Sequence, residues 1–331
     1  MATGSCIDIH AHYYPESFIR LMADEGASAG AKVTRSGDKG PVLEVGILRA
    51  GPLERKFIDL DLRIAEMDAQ GVAVQALSLT QPMVYWADRA LSEKLTVAFN
   101  DALAEAHERY PDRLVGFATL PIQEPDLAVA ELDRLATMRG IKGVYLATRV
   151  LDRELSDPMF FPVYERIEDL GLPIFLHPLE VIGAERLKPY FLTNLLGNPF
   201  DTAVAAAQLI FGGVLDRFKG LEVCLPHAGG AFPYLVGRLN HGWKVRPECR
   251  HLEQGPLAYL RRFYYDTVSH MDDALSYLIG LVGPERVMVG SDYCFDMGLE
   301  RPVDVVTGQA SLTETDKALI LGGNARRLLG L

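Results

Sequence analysis

Residues 6–12 read Cys6-Ile7-Asp8-Ile9-His10-Ala11-His12. A short run of this kind, closed off by Tyr13, Tyr14 and Pro15, reads as a β-strand. Successive side chains of a strand point to opposite faces, so His10 and His12 share a face about 6.7 Å apart along the chain. Ile7, Ile9 and Ala11 take the other face, and the two imidazoles sit at the strand's C-terminal tip. Such a pair can close on one metal ion, each ring giving an Nε2 at about 2.0–2.1 Å. The competing reading is a pair of surface histidines at a strand end.

Downstream of this strand, residues 13–58 form a long excursion before the first convincing helix. Gly26 to Gly40 is rich in Gly, Ser and Ala, and Pro41 to Arg49 alternates as a strand does. A small hairpin turning around Gly37-Asp38-Lys39-Gly40 is expected there. A long loop in a compact domain is usually functional, so this insertion is read as a lid over the strand tips. Beyond it the pattern is regular. Helix 61–70 ends at Gly71, a residue suited to the left-handed position after a helix, and leads to strand 72–78. Helix 92–110 opens on Ser92 as its cap and precedes strand 114–120. Helix 126–139 and strand 143–148 follow, then helix 158–170 and strand 173–178. Helices around 202–218 lead to strand 221–227. Helix 231–241 precedes strand 262–268, helix 272–281 precedes strand 286–292, and residues 314–329 supply the last helix.

Eight mostly apolar strands alternating with helices imply a parallel sheet buried on both faces. No GxGxxG turn follows the first strand, which argues against a dinucleotide-binding open sheet. The expectation is therefore a single (β/α)8 TIM barrel over residues 1–331, with a small insertion after strand 1. A length of 331 residues with 49% hydrophobic and 23% charged side chains suits one such domain with a real core. Thirty-three basic against 44 acidic residues leave a formal net charge of −11. That argues against nucleic acid as a partner, and an anionic substrate must be held by local cations. The longest uncharged stretch, Ala69–Ala87, contains Gln70, Gln75, Gln81 and Pro82, so no membrane span is expected. Residues Met1 to Ser5 carry no basic or signal-like apolar stretch. The four cysteines, at 6, 224, 249 and 294, show no CxxC spacing. Together these features point to the cytoplasm and away from a thiolate metal site.

In a barrel of this type the chemistry lies at the C-terminal ends of the strands. Those ends carry His10 and His12 on strand 1, His177 on strand 5, His227 on strand 6 and Asp292 on strand 8. Each alone is a weak signal, because a lone Asp or His at a strand end often only caps a turn. Their joint placement is the argument. Asp8 lies deeper, where it either completes a polar network or supports a ligand. Cys294, two residues past Asp292, is the less suitable sulfur alternative.

The segments Ile7 to His12, Phe175-Leu176-His177-Pro178, Pro226-His227-Ala228-Gly229-Gly230 and Gly290-Ser291-Asp292-Tyr293 resemble the amidohydrolase superfamily. Within it they are similar to the branch of aminocarboxymuconate-semialdehyde decarboxylase and related non-oxidative decarboxylases. Arg63 to Asp68, Leu195 to Pro199, Phe211 to Val214 and Gly323 to Ala325 extend the likeness over nearly the whole chain. The resemblance implies that His10, His12, His177 and Asp292 hold one divalent metal ion. It also implies that His227 is catalytic beside the metal, and that Arg238 binds substrate across a homodimer interface. A second substrate arginine falls on Arg49, with Arg55 in reserve. Asp296 stands where family members tend to have proline, which leaves the substrate open.

Three imidazoles and one carboxylate suit zinc best and manganese second, and no organic cofactor is expected. The activity implied is decarboxylation of a small conjugated or aromatic acid, with either Asp292 or a His227–water pair delivering the proton to carbon. Arg49 and Arg238 would hold substrate carboxylates by paired hydrogen bonds. The alternative is a mononuclear hydrolase, deaminase or hydratase of the same superfamily. A binuclear enzyme fits less well, because Lys142 precedes strand 4 instead of ending it. A non-catalytic barrel with a structural metal is disfavoured by the open, cysteine-free ligand set.

Overall fold

The computed structural model describes residues 6–35 and 39–331. Eight parallel strands make one sheet: β1 Cys6–His12, β2 Val72–Ser78, β3 Leu114–Thr119, β4 Ile141–Ala147, β5 Ile174–His177, β6 Val223–Leu225, β7 Phe263–Asp266 and β8 Val287–Met288. They neighbour one another in chain order. The sheet closes on itself through backbone hydrogen bonds just past the end of β8. Ile9 donates to the Val289 carbonyl at 2.9 Å, Asp292 to that of His10 at 2.8 Å and His12 to that of Tyr293 at 2.6 Å. The chain thus adopts the (β/α)8 barrel expected from its sequence. Every residue of β1 and β3 is buried, as both-sided coverage by helices requires.

Local chemistry sets the element boundaries. Helix Leu60–Gln70 is capped by Asp59, whose carboxylate accepts from the amides of Asp61 and Leu62, and it ends on left-handed Gly71. Gly143 of β4 has room only for hydrogen. A methyl there would meet the Pro173 carbonyl and the rings of Phe117 and Phe175, which stack at 3.8 Å.

Several sequence expectations need correction. The helix after β2 is Arg89–Arg109, capped by Asp88 through the Leu91 amide. Ser92 lies inside it, its hydroxyl donating to the Arg89 carbonyl. The helix expected over 126–139 stops at Leu135. Strands 6 and 8 are shorter than expected, because the chain turns into left-handed conformations at His227 and Asp292. The insertion is more structured than read. It carries helix Glu16–Glu25, which buries Phe18, Ile19 and Met22, and an antiparallel sheet of Ala31–Arg35, Pro41–Val45 and Leu48–Ala50. The stretch expected as one strand over 41–49 is split by a turn at Gly46, φ 56°. The turn expected at Gly37–Gly40 falls partly on residues 36–38, outside the described ones.

One polar network under the strand tips ties β1, β2 and the loop after β8 to the helix before β2. Arg63, fully buried, donates to Gln75 Oε1 at 2.7 Å and to the His12 carbonyl at 2.5 Å, and stacks on Tyr293. Gln75 in turn donates to Asp8, which also accepts from the amides of His10 and Ser291 and from the Ser291 hydroxyl. Asp8 therefore holds the backbone beside two expected ligands without touching their side chains. Burial left unpaired would be costly for each of these groups; here they satisfy one another, Arg63 Nε alone lacking a partner.

Candidate metal centre and active site

Strand geometry delivers four side chains to one buried point. One atom from each of His10, His12, His177 and Asp292 lies within 4.8 Å of the other three. A β-bulge between Asp8 and Ala11 lets β1 advance three residues against two on β2, and both histidines still face the centre. Asp292 Oδ1 is 3.0 Å from His12 Nε2 and 3.6 Å from His10 Nε2.

The far side of each imidazole explains which nitrogen faces inward. His10 Nδ1 lies 2.7 Å from Asp266 Oδ2. His177 Nδ1 lies 2.7 Å from the Pro178 carbonyl, which can only accept. His12 Nδ1 meets the Ser78 hydroxyl at 3.1 Å, and that hydroxyl spends its own proton on the Ala11 carbonyl. All three Nδ1 atoms are therefore donors to the surroundings, so it is the three Nε2 atoms that converge with a carboxylate. His10 Nε2 is buried and finds no hydrogen-bond partner. Such a set calls for a cation, and its donors fit zinc or manganese.

His227 sits beside this set, its Nε2 4.0 Å from Asp292 Oδ2. It lies two residues past β6, in a turn where His227 and Ala228 both have φ 54°. The ring lines a cleft of about 390 Å³ that also exposes Asp292. Leu195, Pro199, Pro233, Tyr234, Tyr277 and Met297 give the cleft apolar walls, and Asn194, Asn198, Ser269 and His270 give it polar ones. That size and mix suit a small organic ligand.

Burial and neighbouring charge sort the ionisation states. Burial pushes His12 down to about 4 and lowers His177 and His227, with His10 adding to the effect on His227. Burial alone would raise Asp292, but the hydrogen bond to His12 and the charge of His10 hold it below the usual carboxylate range. Burial opposes charge on His10 as well, yet the Asp266 hydrogen bond and the Asp292 charge raise it to about 9.

The expected arginines are not brought to this point within the chain. Arg49 lies on the insertion sheet, 3.5 Å from Glu44, and donates to the Gly51 carbonyl. Arg55 pairs with Asp59 at 2.5 Å. Arg238 is exposed on helix Phe232–Val245. The apolar residues of this helix mostly face the chain's own core: Phe232 is buried against Phe263, and Trp243 donates to the Leu252 carbonyl. Tyr234 is the exception, at 82% exposure. Cys294 turns away from the ligand set, toward the His12 and Lys56 carbonyls. Lys142 reaches the Gly330 carbonyl from the start of β4, away from the strand tips. Asp266, at the end of β7, escaped the sequence reasoning; the available signal was an acid closing the apolar run Phe263-Tyr264-Tyr265.

Residues 7–331 match the family model described as Amidohydrolase. The chain is 33% identical over 328 residues to the 2-amino-3-carboxymuconate-6-semialdehyde decarboxylase of Dictyostelium discoideum, covering 98% of this chain and 91% of that protein. It is 28% identical over 295 residues to a gamma-resorcylate decarboxylase of Rhizobium sp., covering 84% and 90%. Among solved structures, the 5-carboxyvanillate decarboxylase of Sphingomonas paucimobilis matches with a TM-score of 0.85 at 27% identity, covering 99% of each chain.

A proton on His10 Nε2 competes with any ion for this site. With His10 raised to about 9, that proton is present at pH 7.5 in the metal-free chain and must leave when an ion enters. Calorimetric titration in buffers of different ionisation enthalpy should show about one proton released per ion at pH 7.5, falling toward none above pH 10. Ion uptake without proton release at pH 7.5 would contradict this assignment.

Proposed function

The chain belongs to the amidohydrolase family, and on that footing we propose that it is a metal-dependent, non-oxidative decarboxylase of a small conjugated or aromatic carboxylic acid. The observation that carries this reading is the convergence of three Nε2 atoms and the Asp292 carboxylate beside a largely apolar cleft. His10, His12, His177 and Asp292 would hold one divalent ion per chain, zinc by preference and manganese next. When bound, that ion supplies positive charge where negative charge develops as CO2 departs.

The chain's own residues do the rest. The apolar walls of the cleft accept the conjugated plane of the substrate and exclude water from it. Loss of CO2 breaks the bond from the carboxylate carbon and leaves its electron pair on the substrate carbon, which must take a proton. His227 Nε2 and Asp292 Oδ2 lie 4.0 Å apart at the cleft wall, so Asp292 or a His227–water pair can deliver that proton. Residues 13–58 are read as a cover over these tips within a single barrel domain: Phe57 packs on Phe295, which faces His12. The free thiols fit a reducing cytoplasm. Among the described residues, no helix is long and apolar enough to cross a membrane.

Arg238 is assigned to a second copy's substrate carboxylate in a two-fold dimer, and Arg49 to the same chain's cleft after release from Glu44. Support for the dimer is the run of exposed large apolar residues Tyr190, Phe191, Leu195, Leu196 and Phe200, with exposed Tyr234 joining Leu195 in the cleft wall; exposed apolar surface of this kind often marks an interface.

Candidate aromatic and muconate acids should release CO2 without oxygen or any organic cofactor. His227→Ala should keep its ion yet lose roughly 10²–10⁴-fold in rate; ammonia or a cleaved amide, with no CO2, would favour the hydrolase or deaminase alternative. For the dimer, mixing Arg238→Ala chains with metal-deficient His177→Ala chains should restore part of the activity, since two-fold symmetry makes the donation reciprocal. A mixture as inactive as its parents, although mixed dimers form, would remove the assignment of Arg238.

A further inference from the structure

Asp266 closes β7 and is fully buried. Its Oδ2 accepts from His10 Nδ1 at 2.7 Å and from the His227 amide at 3.0 Å. Its Oδ1 accepts from the Ala228 amide at 2.7 Å and from the Val268 amide at 3.0 Å. A carboxylate offers about four acceptor positions, and all four are taken. Asp266 therefore has nothing left with which to ligate an ion or take a substrate proton.

What two of those bonds hold, from His227 and Ala228, is unusual backbone. His227, Ala228, Gly229 and Gly230 all have positive φ, at 54°, 54°, 79° and 57°. Two of them carry a side chain, for which that region is unfavourable. The turn is also hemmed in: a methyl on Gly229 would meet the Tyr265 ring, and one on Gly230 the Pro199 carbonyl. The His227 ring has no anchor of its own. Its Nδ1 is buried without a hydrogen-bond partner, and its Nε2 is 4.0 Å from the nearest Asp292 oxygen. The direction in which His227 points is set by its backbone. The two side-chain-bearing residues of that turn, His227 and Ala228, both send their amides to Asp266, while Gly229 and Gly230 donate to the Pro226 and His227 carbonyls.

We propose that Asp266 is the positioning residue that couples the two halves of the site. Through His10 Nδ1 it fixes the ring whose Nε2 faces the ion, and through the amides of His227 and Ala228 it holds the left-handed turn that aims His227 into the cleft. The proposal rests on the reading of His10 as a ligand and His227 as the proton-handling group, and each half has its own readout.

The test compares Asp266→Asn, His227→Ala and the double variant with the unaltered chain. Metal affinity is read from cobalt(II) binding to metal-free protein by visible absorption, and turnover is read at saturating metal. Asp266→Asn places an amide nitrogen against at least one N–H donor. It should weaken cobalt binding about 10–100-fold and lower kcat at saturating metal by a similar factor, with KM within about twofold. Added to His227→Ala, it should still weaken cobalt binding but reduce kcat no further, because residues acting as one unit are non-additive. Asp266→Glu keeps the charge but displaces both oxygens, and should show the same two losses; it serves if the Asn chain does not fold. Unchanged cobalt affinity would overturn the His10 half. A kcat loss as large in the His227→Ala background as in the unaltered one would overturn the His227 half. An unaltered chain that binds cobalt but releases no CO2 would count against the decarboxylase reading, and the cobalt arm would still decide the role of Asp266.

Discussion

The seam between β1 and the segment after β8 is the constraint on which the site depends. The sheet becomes a barrel only when Ile9, His12 and Asp292 make their backbone bonds across it. The same contacts set His10 and His12 against Asp292, since side chains on paired strands are spaced by the ladder that joins them. Closing the fold and assembling three of the four ligands are one event. The Arg63–Gln75–Asp8–Ser291 network lies directly beneath and pins the strand tips from below.

Packing three imidazoles and a carboxylate into a dry point works against folding unless something positive joins them. The chain prepares for that cation instead of avoiding the conflict. Acceptors behind each ring, namely Asp266, Ser78 and the Pro178 carbonyl, fix these three imidazoles with Nε2 inward. Members of the same fold family run several chemistries from such a set, so the reaction is decided by what surrounds it. Here the surroundings are a cleft with largely apolar walls, with His227 and Asp292 at its inner end. That arrangement suits a flat acid better than a peptide or a sugar.

Much of this was legible in the sequence because it rests on short-range rules. Period-two alternation puts His10 and His12 on one face, and strand-tip placement singles out His177, His227 and Asp292. What the sequence hid depends on distant partners or on backbone conformation. Asp266 looks like an ordinary turn acid until His10, 256 residues away, meets it. The left-handed turns at His227 and Asp292 shorten two strands in a way that no hydrophobic pattern reports. In the insertion, Phe18, Ile19 and Met22 mark the buried face of helix Glu16–Glu25 and could have revealed it.

The central claim is that one ion is bound where the barrel closes. The direct measurement is anomalous diffraction from crystals of the metal-loaded protein. The account predicts a single peak per chain, within about 2.0–2.3 Å of Nε2 of His10, His12 and His177 and of an Asp292 oxygen. Two adjacent peaks, or one ion held by other residues while these four stay apart from it, would contradict it.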